Sequence, residues 1–256
     1  MIIINTDKEI EILRSCGKRL AFILQELAKA IKPGVTGEEI NNLAFKLVAE
    51  EGDEAAFYNY RPSGADRPFP SALCFSVNDE VVHGIPDEAD KILKEGDIVK
   101  LDMGLKRQGL ITDAAITVPV GKISAVDQKL IEVTEKSLYQ GIKAIKEGNK
   151  VGDISYAIER TIRPMGFGIV EELCGHGVGH KVHEDPYIPN YGEKNTGPIL
   201  KAGMVLALEP IVNIGTEKVE IAVDGYTYKT VDGANSAHFE HSILVTKNGH
   251  EILTKI

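Results

Sequence analysis

The sequence has few cysteines, no excess of basic residues and no long apolar run. Its three cysteines form no Cys-x-x-Cys pair, which is typical of a reducing compartment and predicts a cytoplasmic location without disulfides. Lys and Arg number 29 against 38 Asp and Glu, and the formal net charge of −9 argues against nucleic acid as the main partner. No stretch of about 18 apolar residues predicts a membrane span, and the N-terminus does not resemble a signal peptide.

The length and composition favour a single globular domain. The chain has 256 residues, of which 43% are hydrophobic, enough for a sizeable core. No low-complexity linker divides it. We therefore predict one domain over residues 1–256.

An internal repeat divides this domain into two halves, at about 5–121 and 122–250. Residues 93–102 align with residues 200–209, so that Asp102 falls on Glu209. Three further short matches occur in the same order, and one of them places Asp113 on Glu240. Repeats of this length are half-domains, because solenoid units recur every ~20–50 residues.

Helices and strands are predicted in the same order in both halves, an α+β arrangement. Capping boxes at Thr6–Glu9 and Thr36–Glu39 open two helices in the first half, and Ser124 opens another in the second. A shorter fourth helix precedes Pro164. Apolar runs predict strands near 72–77, 97–104, 111–119, 169–173, 204–213, 218–223 and 237–246. The Pro-rich loop 57–70 is the best candidate for a rim or lid.

Four carboxylates and one imidazole form the candidate site. Asp102 and Asp113 lie on strands joined by a turn at residues 107–109, and pairing across this hairpin would bring both to one face. Glu209 and Glu240 are their repeat mates, and His176 lies between these two pairs in the sequence, in a Gly-rich turn. Taken singly, each has an ordinary role as a cap, a strand-end carboxylate or a loop histidine. Together they indicate a shared site.

The charge of this site predicts metal. Four clustered carboxylates resist ionisation, and two divalent cations would balance them. Bridging carboxylates hold such ions about 3.5–4 Å apart in two-metal hydrolases. Carboxylate and imidazole ligands suit Co, Mn, Fe and Zn alike, so the metal is not identified.

These residues stand in motifs that resemble those of the methionine aminopeptidases. The resemblance covers nearly the whole chain, in family order and spacing. It is carried by Asp102 in KLDMG, Asp113 in ITDAAITV, His176 in CGHGVG, Glu209 in LALEP, Glu240 in HFEHSILV, His83 in CFSVNDEVVHGIP and His183 in GHGVGHKVHEDP. The chain lacks the long insertion of type II enzymes and resembles the compact bacterial type I form.

The resemblance implies a "pita-bread" fold, in which two αβ halves curve an antiparallel sheet around a dinuclear metal centre covered by helices. It implies a metallo-aminopeptidase that removes the N-terminal methionine of peptides and nascent chains. Asp102, Asp113, His176, Glu209 and Glu240 would be the metal ligands, with Asp113 and Glu240 bridging. Ribosome contact would suit such an enzyme, although no basic patch supports it.

The resemblance also implies the remaining catalytic roles. Asp102 would help to hold the free α-amine. His83 and His183 would contact the substrate amide and stabilise the tetrahedral intermediate, and Glu209 would carry a proton to the leaving amine.

Pocket residues are matched less closely. Phe69 and Cys74 match pocket positions of the family, and Tyr226 and Val182 are added as candidates. The loop 57–70 is longer than in the bacterial enzymes, and His238 stands where many members have glutamine. These departures concern the pocket and the surroundings of the ligands.

Three alternatives stay open at this point. A prolidase or aminopeptidase P of the same fold would share the five ligands. A non-catalytic homologue would bind a partner instead. An oxygen-binding di-iron protein is suggested only by the carboxylates, and its usual Glu-x-x-His pairs are missing. One complete site per chain requires no oligomer, so a monomer is expected.

Overall fold

The computed structural model describes residue 4 and residues 6–62, 64–88 and 90–255. Some predictions fall on residues outside the described ones. These are residues 1–3 and 5, where no signal peptide is predicted, position 63 of the loop 57–70, and residue 256 of the predicted domain. Within the described part, no helix is long and apolar enough to cross a membrane.

Three of the four predicted helices begin at their predicted caps. Thr6 Oγ1 accepts a hydrogen bond from the Glu9 amide (3.1 Å), and the Glu9 carboxylate accepts one from the Thr6 amide (3.2 Å). Thr36 forms the same reciprocal box, and Ser124 accepts from an amide of its first turn. Each such cap contributes about 0.5–2 kcal/mol. The helices are α1 (Asp7–Ala30), α2 (Gly37–Ala49), α3 (Ala125–Lys143) and α4 (Val151–Ile162), which continues into a 3₁₀ turn at Arg163–Met165.

The strands of the described residues pair antiparallel throughout. They are β1 (Glu54–Ala55), β2 (Cys74–Val77), β3 (Glu80–Val82), β4 (Ile98–Arg107), β5 (Leu110–Pro119), β6 (Gly168–Ile169), β7 (Gly175–Gly177), β8 (Glu184–Ile188), β9 (Val205–Leu208), β10 (Ile211–Asn213), β11 (Val219–Ile221), β12 (Tyr228–Thr230), β13 (Ser236–His238), β14 (His241–Thr246) and β15 (Gly249–Ile252).

These strands form four sheets. One has the order β1-β4-β2, with β5 also paired to β4, and another has the order β15-β14-β9-β7-β8. Two three-stranded sheets have the orders β13-β10-β6 and β11-β12-β3. The predicted α+β class with antiparallel sheets is therefore observed.

The hairpin β4–β5 turns where the sequence predicted. Gln108 and Gly109 have φ of 50° and 86°, the left-handed conformation that a two-residue hairpin turn requires. The register pairs Asp102 with Ala115 and Gly104 with Asp113. Asp113 is thus two residues from the partner of Asp102, and both carboxylates lie on one face of the hairpin.

Two predicted strands are wrong in their continuity. The run 204–213 is broken between β9 and β10, at Glu209 and Pro210, and the run 237–246 is broken between β13 and β14, at Phe239 and Glu240. Proline has no amide to donate to a ladder, and the Glu240 backbone bonds instead to Ala115 on β5. Apolar runs show burial but do not show such breaks.

Three other predictions differ from the structure. The predicted strand 169–173 is limited to β6, which ends at Ile169. The predicted strand 218–223 is shorter, at Val219–Ile221. His176, expected in a turn, lies in the short strand β7, paired with Ala207 of β9.

The helices bury their apolar stripes against the sheets in two large clusters. In the first half Leu20, Leu24 and Leu27 of α1 are buried with Leu101 of β4. In the second half residues of α3 and α4 pack with β9 and β14. Each fully buried side chain of this kind contributes about 1.5–3 kcal/mol.

Contact between α1 and the end of the chain requires a glycine. A Cβ at Gly17 would lie 2.4 Å from the Leu253 carbonyl oxygen, so a side chain there would push the last strand away from α1.

The order of elements is similar in the two predicted halves. Two helices precede β2, β4 and β5 in the first, and two helices precede β7, β9 and β14 in the second. The division of the domain at about residue 121 stays a prediction.

Candidate metal centre

Asp113 is fixed where the two central hairpins meet. Its amide donates to Ser242 Oγ (2.8 Å), and Ser242 Oγ donates to the Asp113 carbonyl oxygen (2.8 Å). Ser242 lies on β14, so this exchange of hydrogen bonds joins β5 to β14. The side chain of Asp113 is left free to point into a cavity that His176 and Glu240 also line.

Glu240 is held from the other side of the same junction. Its amide donates to the Ala115 carbonyl oxygen (2.8 Å), and the Ala115 amide donates back to the Glu240 carbonyl oxygen (3.3 Å). This isolated bridge takes the place of the strand that the sequence predicted across Glu240. The break lets the carboxylate face the cavity.

His176 offers its Nε2 atom to the cavity. Its Nδ1 lies 2.9 Å from the Gly177 carbonyl oxygen, a contact in which Nδ1–H must be the donor. Nε2 then keeps its lone pair, which is the form that binds metal. Gly177 allows the close packing of β7 on β8, because a Cβ there would lie 2.4 Å from the Asp185 carbonyl oxygen.

Three of the five predicted ligands form a compact group. One side-chain ligand atom each from Asp113, His176 and Glu240 lies within 4.8 Å of the others, and all three residues are buried. Asp102 and Glu209 line the same cavity outside this group. Glu209 Oε1 is 3.4 Å from His176 Nε2.

Two orphaned oxygens show that the group fits a cation. Asp113 Oδ1 and Glu240 Oε1 are buried and have no hydrogen-bond partner. A buried polar atom without a partner costs about 1–3 kcal/mol. A divalent ion between such oxygens and a neutral imidazole would remove that cost, and the donor set is the hard oxygen and nitrogen type.

The electrostatics of the cavity point the same way. Burial raises the pKa of Asp102 to about 7. The pKa values of Asp113, Glu209 and Glu240 are raised well above their usual range, first by burial and then by repulsion among these carboxylates. Burial lowers the pKa of His176 to about 3, so the imidazole is neutral. The site disfavours its own negative charge and favours a cation.

The two predicted substrate histidines stand at the same cavity. His83 is half-buried with φ of 58°, and burial followed by the nearby His183 lowers its pKa to about 4. The His183 ring centroid is 4.5 Å from that of His176. Tyr60 Oη lies 3.1 Å from His183 Nδ1.

The apolar wall of the cavity contains most of the predicted pocket residues. Phe69 and Tyr226 meet edge to face with ring centroids 5.3 Å apart, and Val182 lines the same wall. Cys74 is packed behind the wall with Phe69 and Tyr226, and pairs with Asp102 across β2–β4. Cys74 does not line the cavity itself, and its predicted role in substrate binding stays a prediction.

The loop 57–70 contributes wall residues that sequence reasoning did not single out. Phe57, Tyr60 and Pro62 line the cavity beside the predicted residues. The only sequence signal was their position in the loop expected at the rim. The loop is anchored at Arg67, whose Nη2 donates to Glu88 (2.7 Å), while its carbonyl oxygen accepts from the Tyr226 hydroxyl.

Comparison with known proteins shows the family to which the chain belongs. A family model described as Metallopeptidase family M24 matches residues 11–247. Methionine aminopeptidase 1 of Bacillus subtilis is 45% identical over 256 residues, covering 100% of both chains. The chain belongs to metallopeptidase family M24, among its methionine aminopeptidases.

Further relatives agree with this family. The methionine aminopeptidase of Aquifex aeolicus is 44% identical over 255 residues and 98% of each chain. The crystal structure of the methionine aminopeptidase of Thermotoga maritima has a TM-score of 0.95 at 45% identity and covers 100% of both chains. The predicted family, its bacterial type I form and the metallo-aminopeptidase class are confirmed.

The wider family shares the fold. The prolidase of Pyrococcus furiosus has a TM-score of 0.76 at 23% identity, covering 99% of this chain and 66% of that chain. This likeness concerns the fold alone and confirms the predicted pita-bread arrangement.

Proposed function

We propose that this enzyme hydrolyses the first peptide bond of peptides and nascent chains that begin with methionine. One observation carries the proposal. The group of Asp113, His176 and Glu240, with two orphaned carboxylate oxygens, lies at the base of a cavity with an apolar wall. The proline-directed alternative is not favoured, because relatives of that kind share only the fold.

Five residues would hold two divalent cations: Asp102, Asp113, His176, Glu209 and Glu240. Asp113 and Glu240 each have one buried oxygen without a protein partner among the described residues, and a bound cation would supply that partner. When bound, such cations polarise a carbonyl oxygen and lower the pKa of a water molecule. The donor set suits Co, Mn, Fe and Zn alike.

Recognition of the chain end is assigned to Asp102. Its carboxylate lines the cavity and would accept a hydrogen bond from the free α-amine of the substrate. An internal peptide bond has no such amine, so the enzyme would remove only the first residue. The apolar wall of Phe69, Tyr226 and Val182 would receive the unbranched methionine side chain.

His83 and His183 are assigned to the scissile amide. The Tyr60 hydroxyl would donate to His183 Nδ1, which leaves the proton of the neutral ring on Nε2. That N–H group would donate to the substrate carbonyl oxygen as negative charge develops there. His83 is also neutral, and it would contact the amide from the other side of the cavity.

Proton transfer is assigned to Glu209. A carboxyl group with a raised pKa in a buried setting takes up a proton readily. Glu209 would accept a proton as water attacks the carbonyl, and would release it to the leaving amine from the same carboxyl group.

The test compares peptides on chelated protein reloaded with Mn²⁺ or Co²⁺. Methionine release from Met-Ala-Ser is expected, with none from Ala-Pro. Asp113→Asn keeps the backbone hydrogen bonds to Ser242 and should abolish methionine release from Met-Ala-Ser. Asp232→Asn is the matched control, because Asp232 is exposed, lies outside the cavity and accepts hydrogen bonds from the amides of Thr216 and Ala234. Release from Ala-Pro alone would move the function to the proline-directed branch.

A second variant tests the role of the substrate histidine. His183→Ala should lower kcat/KM by about 10²-fold or more if it stabilises the intermediate. An unchanged kcat/KM would remove His183 from the mechanism while leaving the metal centre intact.

The partner is proposed to be the N-terminal methionine of new chains in the cytoplasm. All the residues assigned to the site come from one chain, so a monomer suffices. Contact with the ribosome belongs to the same proposal, and cosedimentation with ribosomes would test it.

A further inference from the structure

His238 has a buried imidazole ring with no hydrogen-bond partner. The residue is 1% exposed, and neither Nδ1 nor Nε2 bonds any group of the described residues. Buried polar atoms in native proteins nearly always have partners, so a buried ring with two unpartnered nitrogens calls for an explanation. His238 is not one of the five proposed ligands, and it lies outside the residues that line the cavity.

The ring lies directly behind Glu209. His238 Nε2 is 3.7 Å from Glu209 Oε2, and His176 Nε2 is 3.4 Å from Oε1 of the same carboxylate. The two histidines therefore face different oxygens of one side chain. The carboxylate stands between the proposed metal centre and His238.

The backbone on both sides of this contact is fixed. The His238 amide donates to Thr117 Oγ1 (2.9 Å), and Thr117 Oγ1 donates to the His238 carbonyl oxygen (2.7 Å). On the other side, Asn190 Nδ2 donates to the Glu209 carbonyl oxygen (3.0 Å). Both main chains are held by these hydrogen bonds, so the distance between the two groups is adjusted by their side chains.

We infer that His238 is a positioning residue, which donates its Nε2–H to Glu209 Oε2 and so directs Oε1 toward the metal centre. The inference rests on the proposed function of Glu209 as ligand and proton carrier. A closer approach of about half an ångström brings the pair to hydrogen-bond distance. Groups that orient ligands in this way typically contribute 10–100-fold in metal affinity or activity.

The experiment measures Mn²⁺ affinity by calorimetry on chelated full-length protein. His238→Leu keeps similar bulk without a donor, and His238→Gln restores a neutral N–H donor. The leucine variant should lose about 10–100-fold in affinity. It should also lower kcat on Met-Ala-Ser with little change in KM. The glutamine variant should retain most of both, and His250→Leu controls for unspecific binding to histidine.

Equal Mn²⁺ affinity in His238→Leu and the wild type would overturn this inference and leave the proposed function standing. An equal loss in the glutamine and leucine variants would also overturn it, because a donor alone would not suffice. A wild type that binds no divalent cation would overturn the proposed function itself.

A second readout covers a leucine variant that does not fold. In ¹⁵N-histidine spectra of the wild type loaded with diamagnetic Zn²⁺, a slowly exchanging Nε2–H signal should be present, and it should be absent from His238→Gln. Its absence from the wild type would contradict the inference.

Discussion

Replacing Tyr60 with phenylalanine tests how His183 is held. Tyr60 Oη is 3.1 Å from His183 Nδ1. Burial raises the pKa of this phenol, so it is protonated at neutral pH and can donate. Tyr60→Phe removes that donor and keeps the ring in the cavity wall. The His183 ring is then free to rotate or to carry its proton on the wrong nitrogen.

The expected loss is modest and appears in kcat. A neutral hydrogen bond contributes about 0.5–1.5 kcal/mol, and 1.36 kcal/mol corresponds to a tenfold change in rate. We therefore expect kcat to fall about 2- to 12-fold. KM should change little, because the N–H donor of His183 acts mainly in the transition state.

The assay is steady-state hydrolysis of Met-Ala-Ser by the Mn²⁺-loaded protein. Tyr58→Phe is the matched control, because Tyr58 lies two residues away, is 48% exposed and packs on Phe45. An unchanged kcat, or a rise in KM alone, would refute the orienting role. The second result would instead make the Tyr60 hydroxyl a direct contact of the substrate.

Three further predictions concern stability. Arg107→Met should lower the free energy of unfolding in urea by about 3–5 kcal/mol, because it leaves the buried Asp53 carboxylate without its ion-pair partner. Lys106→Met, at an exposed ion pair, should lower it by less than about 1 kcal/mol. Similar losses in the two variants would contradict this prediction. Mn²⁺ at a hundredfold excess over Kd should stabilise the protein by about 2.7 kcal/mol, and a thermal shift that survives Asp113→Asn would count against the site. Burial raises the pKa of Cys16 from 9.0 to about 11, so above pH 9 the unfolded chain loses this proton before the folded chain does. About 2–3 kcal/mol of unfolding free energy should therefore be lost between pH 9 and 11. Cys16→Ser should flatten this dependence of stability on pH.

The sequence predicted the fold through local signals. Helix starts at Thr6, Thr36 and Ser124 agree with the structure, because a cap depends on residues three positions apart. The turn at Gln108-Gly109 agrees for the same reason. Short strands such as β1 and β12 were missed, since their pairing is decided by distant partners and leaves no local pattern.

The candidate site was predictable because the repeat aligned its carboxylates. The sequence did not show that the strands are interrupted at two of these carboxylates. Glu209 and Glu240 lie at breaks that depend on Pro210 and on the bridge to Ala115. The roles of these residues, and of His83 and His183, stay predictions until the variants are measured. The sequence also could not show that the ring nitrogens of His238 have no hydrogen-bond partner among the described residues, because this depends on what surrounds the ring.

The bridge between Ala115 and Glu240 also has a consequence for biosynthesis. The proposed centre draws on residues from Asp102 to Glu240, which are 138 positions apart in the sequence. Contacts so distant in sequence form late, after the elements between them are in place. No N-terminal fragment that stops short of Glu240 contains the complete group. An enzyme proposed to act on other chains during their synthesis would therefore acquire its own activity only after its residue 240 has been made.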